Sequence, residues 1–281
     1  MTYQPSALQL QREAAKRRAS RRSTLIALSS TLALGFILVV VVTGAQGYEM
    51  VKNSFFNWHY AIQAMPSVFH GLLLNLRVLI IAEFFVLLLG LLIAIARTTT
   101  SPVLYPVRLV ATIYTDLFRG LPLLLVLLLV GLGIPGLRIS WIPNSAVVLG
   151  TVALVLTYSA YVAEVIRAGI EGVNPTQRQA ARALGLTQSQ TLEHVVLPQA
   201  FRNVTPPLLN DLVSLQKDSG LISVLGAVDA IRAAGIQTAQ SFNFTPYLVA
   251  GALFVLLTIP LTRFTDWLTR KQDARQRAQG Q

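Results

Sequence analysis

Six apolar stretches, separated by shorter polar ones, organise this chain. Residues 24–43, "TLIALSSTLALGFILVVVVT", carry no charge, and about twenty apolar residues suffice to cross the hydrocarbon core of a bilayer. Residues 71–96 form a second stretch, interrupted by Arg77 and Glu83. A third covers 107–130, with Asp116 and Arg119 toward its start, and a fourth covers 145–166, with Glu164 near its end. The fifth, 206–225, is the weakest because it contains Asn210, Asp211, Lys217 and Asp218. The sixth, 245–261, runs into Arg263. The pattern predicts six membrane helices and an all-α, polytopic fold. A basic start followed by Gly44 and Ala45 also fits a signal peptide over the first stretch. Its apolar length exceeds that of a signal peptide and favours a retained helix.

Composition agrees with lipid as the solvent. The 281 residues are 53% hydrophobic and 12% charged, so a soluble fold would have to hide more apolar surface than one or two cores can hold. There is no cysteine, which excludes disulfides and thiolate ligands. His59, His70 and His194 have no metal-site spacing. A net charge of +11 raises the question of nucleic acid, but the position of the charge answers it. With the first terminus inside and alternating sides, the inside segments hold Arg12, Lys16, Arg17, Arg18, Arg21 and Arg22, then Arg97 with Arg108 just beyond, then Arg167, Arg178, Arg182 and Arg202, then Arg263, Arg270, Lys271, Arg275 and Arg277. The outside segments hold one each: Lys52, Arg138 and Arg232. This bias orients membrane helices, and it places both termini in the cytoplasm. It also requires the weak fifth span, because an odd count breaks the alternation.

The third inside segment contains "QAARALGLTQSQTLEHVVLPQA", residues 179–200. Asn174 can cap a helix that starts with Pro175, and residues 180–184 favour helix. Gly185 can end that helix in a left-handed turn. Thr187 and Gln190 have capping-box spacing at the start of a second helix, and Pro198 closes or bends that one. Helices this short need a surface to pack on. That surface is either the chain's own membrane helices or a soluble partner.

"QAARALG" followed by "VVLPQAFR" resembles the cytoplasmic EAA loop of membrane subunits of binding-protein-dependent ABC importers. "GLLLNLRVLIIAEFFVLLLGLLIAIAR", "YTDLFRGLPLLL", "YSAYVAEVIRAGIEGV" and "LVSLQKDSGLISVLG" resemble, in order, blocks of the polar amino-acid uptake permeases, from about His70 to Arg263. The resemblance implies the type I permease fold, with a five-helix core and here one additional N-terminal transmembrane helix. The organisation it implies is a basic cytoplasmic tail over 1–23, the extra helix over 24–43, an extracytoplasmic loop over 44–69, and the permease domain over 70–263. The coupling loop then lies near 170–205 and a cytoplasmic tail over 264–281. The family usually has Glu where this chain has Gln179. An amide then replaces a carboxylate at that contact.

By the same resemblance, the chain is a multi-pass protein of the bacterial plasma (inner) membrane and not an enzyme. None of its four lysines follows a glycine, so it has no phosphate-binding loop. It binds no cofactor, and ATP and Mg belong to a partner ATPase dimer. Gln179, Ala180, Ala181, Arg182, Ala183, Leu184 and Gly185 would couple to that ATPase, with Leu184 as apolar anchor and Arg182 for polar contacts. A second permease chain, identical or homologous, would complete the path, and an extracytoplasmic solute-binding protein would deliver the amino acid. Glutamate and glutamine are first expectations for it. The remaining contacts are membrane lipid, with no nucleic acid. Another small solute, an intramembrane enzyme and a secondary transporter are competing readings, and the latter two lack a catalytic constellation and an explanation for the loop, respectively.

Charges inside spans need partners or water. Glu83, Lys217 and Asp218 are candidates for the substrate path. Lys217 could meet a carboxylate and Asp218 an ammonium, or Lys217 could pair structurally with Glu83, Asp211 or the other subunit. Asp116 with Arg119, and Glu164 with Arg167, have the i,i+3 spacing of helical ion pairs. Aromatic residues between 44 and 67 fit an interfacial belt or a docking surface, and 134–145 fits a re-entrant turn or outer cap.

Overall fold

The structure, a computed structural model, describes residues 7–99 and 101–279. The first six residues of the expected basic tail and the last two of the C-terminal tail lie outside the described residues. The chain divides into two units, 1–56 and 57–281.

The first unit is helical. α1 (Ala7–Thr43) carries the first apolar stretch, and α2 (Tyr48–Phe55) follows it. Ser29, Ser30, Thr31 and Thr43 donate their hydroxyls to carbonyls three or four residues back. A hydroxyl in hydrocarbon is satisfied this way without a partner from outside the helix. The exposed side chains from Leu25 to Val42 are otherwise almost wholly apolar, as lipid requires.

The second unit is built around α3 (Trp58–Thr98) and α7 (Ala146–Glu171), the fourth span. Asn57 starts α3 by accepting the His59 N–H, and the helix then runs through Pro66 for 41 residues. The second half of the expected outer loop is therefore helix. A helix of that length is about 60 Å long, twice the hydrocarbon thickness. Val78, Ala82 and Val86 of α3 pack with Ala153, Leu154, Tyr158 and Val162 of α7, all buried. Toward the outer end, Ala64, Val68 and Leu72 pack instead with α11 (Ala230–Ser241) and α12 (Thr245–Gln279), through Ala230, Ala233, Ala234, Val249 and Ala250. Small residues set this contact, since hydrocarbon offers no hydrophobic gain and helices associate in it by close packing. Gly71 is the extreme case: a Cβ there would sit 2.4 Å from the backbone of Asp229 and Ala230.

The third span is broken, contrary to the single helix expected over 107–130. α4 (Tyr105–Gly120) ends, and α5 (Leu123–Leu128) restarts, at Leu121–Pro122. A π-helical turn (Leu129–Gly133) and α6 (Ile134–Gly136) complete the arm, and the two parts meet at 107°. Proline has no N–H to continue α4 and drives the preceding residue to extended backbone, as Leu121 is (ψ 137). The groups freed at the break find local partners: the Leu121 N–H donates to the Leu117 carbonyl, and Leu125 and Val126 both donate to that of Pro122.

The fifth span departs from expectation in a second way. After α8 (Pro175–Ala183), it begins with α9 (Gln188–Thr191) and passes through a π-helical turn (Leu192–Val196) into α10 (Leu197–Asp218). Pro198 thus neither closes the run nor ends the helix. It sits in the first turn of α10, where a missing N–H costs little, and the Leu197 N–H reaches back to the Leu192 carbonyl. A 3-10 segment (Ser219–Leu225) and a left-handed Gly226 then precede α11, which is bent by 49° from the preceding run.

Asn75 of α3 holds that bend. Its amide nitrogen donates to the Ser219 carbonyl and to Asp229 Oδ2, both at 3.0 Å, and its oxygen accepts the Ala230 N–H at 3.1 Å. Asp229 in turn caps α11 by accepting the Arg232 N–H at 2.8 Å. Asn75 is 2% exposed and Asp229 is fully buried. Asn75→Leu keeps the branched outline of the side chain and removes all three bonds. A buried polar group left unpaired costs about 1–3 kcal/mol, so the variant is expected to unfold at clearly lower temperature in detergent or nanodiscs. An unchanged unfolding temperature would show that the bend stands without this side chain.

Candidate coupling loop and membrane polar groups

α8 is defined at both ends. Asn174 Oδ1 accepts the Thr176 N–H at 3.0 Å and its hydroxyl at 2.8 Å, and Pro175 takes the first helical position. At the other end Gly185 is left-handed (φ +88), the Leu186 N–H donates to the Ala181 carbonyl, and the Gly185 N–H donates to that of Arg182. These are the two bonds of a Schellman cap. A Cβ on Gly185 would meet open space, so the requirement for glycine is conformational. Thr187 and Gln190 then exchange both capping-box bonds.

One face of this loop packs on the chain and the other is free. Ala181 is buried, and Arg178 Nη2 donates to the Ile170 carbonyl at the end of α7. Val173, Val196 and Ala200 close a small core around Ile170. Gln179, Ala180, Arg182, Ala183, Leu184 and Gly185 are exposed. Leu184 is 83% exposed beside a fixed cap. Of the seven residues expected to couple, six share this open surface and Ala181 anchors it from beneath. Of the two surfaces left open by the sequence, the chain itself takes up the Ala181 face of α8, and the other face is exposed.

Behind the loop, Glu164 of α7 gathers three arginines. Arg97 of α3 lies at 2.7 Å, Arg167 at 2.5 Å, and Arg119 of α4 at 3.6 Å. Arg167 also reaches Glu171. The expected Glu164–Arg167 pair is present, but Arg119 turns to Glu164 instead of Asp116. One carboxylate therefore ties three helices at the end next to the loop.

The candidate path residues separate. Asp218 is half-buried and accepts the Tyr158 hydroxyl at 2.7 Å. Lys217, its neighbour, is exposed and forms no ion pair with Glu83 or Asp211. Neighbouring helical positions face different ways, as their spacing requires. Glu83 and Asp211 are both half-buried and close enough for their charges to interact. Two polar residues escaped the sequence reading: Asn75, already described, and Gln216, which is 1% exposed and accepts the Thr258 hydroxyl at 2.7 Å. An amide alone in an apolar run was the available signal for Asn75.

Comparison with known proteins agrees with this architecture. Residues 106–275 match the family described as binding-protein-dependent transport system inner membrane component. The arginine transport system permease protein ArtQ of Bacillus subtilis is 34% identical over 211 residues, covering 75% of this chain and 94% of that protein. A permease named for glutamine transport from Rickettsia conorii is 36% identical over 218 residues, covering 76% and 98%. Among solved structures, an amino acid ABC transporter superposes with TM-score 0.69 at 34% identity, over 75% of this chain and 96% of that one. The MetNI methionine ABC transporter gives 0.59 at 19% identity, over 74% and 97%, a likeness of fold. The capped loop, the helical core and these relatives have one common meaning: the chain belongs to the binding-protein-dependent transport system inner membrane components, as a multi-pass permease subunit of the type I ABC importer fold.

Proposed function

We propose that the chain forms half of the membrane path for ATP-driven uptake of a polar amino acid. The observation that carries this is its extent of likeness to permeases named for such cargo: it spans 94–98% of the arginine and glutamine relatives. It is a transport subunit, and ATP and Mg act on a separate ATPase. Two permease chains face each other across the path, and an extracytoplasmic binding protein presents the amino acid. The relatives add arginine to the glutamine and glutamate expected from sequence.

The exposed face of α8 supports its role as the ATPase contact. Leu184 enters an apolar groove of the ATPase, Arg182, Gln179 and the small residues Ala180 and Ala183 surround it, and the Schellman cap keeps the surface rigid. Closure of the ATPase pair pushes α8. The push reaches α7 and α10 through Ala181, Val173, Val196 and Ala200, and changes which side of the path is open. Asp218 and Glu83 line the path for the ammonium, and Lys217, which forms no ion pair among the described residues, serves the carboxylate.

Three measurements test this reading. The permease, ATPase and binding protein, reconstituted together in proteoliposomes, should take up labelled arginine, glutamine or glutamate only with internal ATP and the binding protein. Uptake that persists without the ATPase would sink the proposal. Gly185→Val forces a β-branched residue into left-handed backbone at a cost of about 1–3 kcal/mol. The chain should still insert, while ATPase co-purification and uptake fall about tenfold or more; normal association would count against α8 as the contact. Removing a charge-assisted hydrogen bond costs about 1.5–3 kcal/mol. Lys217→Ala should thus lower uptake about tenfold or more with the complex intact, and loss of the permease pair instead would assign Lys217 to the subunit interface.

A further inference from the structure

A pocket of about 320 Å³ lies between α10 and α12 on the cytoplasmic side, where the apolar stretch of α10 begins and that of α12 has ended. α10 contributes Leu209 and Asn210, and α12 contributes Thr265, Asp266, Thr269 and Arg270. Small-ligand pockets run from about 300 to 1,000 Å³, so this one suits a small occupant. Its walls carry both signs of charge, an amide and two hydroxyls.

Asp266 and Arg270 stand four apart on α12, in the order that favours a helical ion pair. Yet neither belongs to an ion pair among the described residues, and both are exposed. The Asn210 side chain also has no hydrogen bond among them. Thr265 and Thr269 donate their hydroxyls to the Thr262 and Thr265 carbonyls at 2.8 and 3.0 Å, which leaves their oxygens as acceptors. The pocket thus sets a carboxylate and several neutral acceptors beside a guanidinium, which only donates. At about 3.6 residues per turn, Phe264, Trp267 and Lys271 form a stripe on the opposite side of α12. Phe264 and Trp267 are 54% and 49% exposed and stack at 6.1 Å, and Lys271 lies over the Trp267 ring at 4.8 Å. Tryptophan and lysine at the end of a span face the membrane interface, so the pocket is turned away from lipid.

We infer that this pocket binds the zwitterionic head of a free amino acid from the cytoplasm. The carboxylate pairs with Arg270 through two parallel N–H bonds. The ammonium, with three donors, meets Asp266, Asn210 and Thr269. A ligand with one charge would leave the other charged group of the pocket without a partner. The site is separate from Asp218, which lies more than two turns farther along α10. A bound amino acid joins α10 to α12 and stabilises their present arrangement against the push proposed for α8. That consequence rests on the uptake reading, whereas the binding itself does not.

The test uses the permease–ATPase complex in nanodiscs of phosphatidylglycerol and phosphatidylcholine. Leu209→Cys gives this cysteine-free chain one thiol in the pocket wall, read by its rate of labelling with a water-soluble maleimide. The probes are L-glutamine, which carries both charges, and acetate and methylammonium, which carry one each. Glutamine at about ten times its dissociation constant should slow labelling about tenfold, and neither single-charge probe should. D266N and R270Q should each raise the glutamine needed about tenfold or more, while Asp218→Asn should leave protection as it is. The proposal is overturned if glutamine gives no protection or if D266N and R270Q keep it. It is also overturned if nanodiscs containing phosphatidylethanolamine protect the thiol without glutamine, or if the thiol cross-links to its copy in a second permease chain. Absent protection with ATP-driven uptake intact removes this site and not the uptake reading; protection without uptake does the reverse.

Discussion

Every interruption of a helix in hydrocarbon frees N–H and C=O groups that lipid cannot satisfy, each at a cost of several kcal/mol. Among the described residues the membrane helices are interrupted twice, and the fold is arranged around repairing both breaks. At Leu121–Pro122 the repair is local, with carbonyls of Leu117 and Pro122 accepting the free N–H groups. At 219–230 it comes from another helix: Asn75 binds the Ser219 carbonyl, the Ala230 N–H and Asp229 at once. That single amide requires α3 and α11 to lie almost in backbone contact, which explains the glycine at 71, one turn from Asn75. The long α3 is thus the post on which the bent helix hangs.

The same arrangement joins the loop to the interior. α8 is tied by Arg178 to the end of α7, where Val196 and Ala200 close a small core around Ile170, and Glu164 ties α7 to α3 and α4. Farther along these helices, Tyr158 of α7 meets Asp218 of α10 at 2.7 Å. In the proposed cycle, a displacement delivered to α8 would travel along two helices that share this polar contact. Packed helices shift between discrete arrangements instead of deforming smoothly, which suits a gate with two positions. In the proposed cycle, sliding of α7 against α10 would alter the Tyr158–Asp218 contact and with it the setting of the candidate ammonium partner.

Much of this was legible in the sequence. The apolar lengths located the six stretches, four of which are single long helices while the third and fifth are bent pairs, and the arginine bias called for the weak fifth. The caps of α8 and α9 followed from Asn174, Pro175, Gly185, Thr187 and Gln190, because capping is local chemistry. Proline was less legible. Pro122 breaks its span, with Leu121 before it extended, whereas α3 runs on through Pro66 and Pro198 sits in the first turn of α10, where its missing N–H costs little. Contacts between distant segments were the least legible. Nothing local to Arg119 says that it prefers Glu164 to Asp116, and nothing local to Asn75 names residues 219, 229 and 230. The opposite exposures of Lys217 and Asp218 followed from helical geometry, but the Tyr158 partner of Asp218 did not.

The outward face of α8 is the most direct point of attack, and the absence of native cysteine makes it accessible. Single cysteines at Leu184 and Thr187, in membranes containing the ATPase, can be treated with a short bifunctional maleimide. Leu184→Cys should cross-link to the ATPase, more strongly than Thr187→Cys, and should be shielded from a membrane-impermeant thiol reagent only while the ATPase is bound. Equal labelling of Leu184→Cys with and without the ATPase, together with no cross-link, would contradict the assignment of this surface as the place where ATP hydrolysis is coupled to the membrane path.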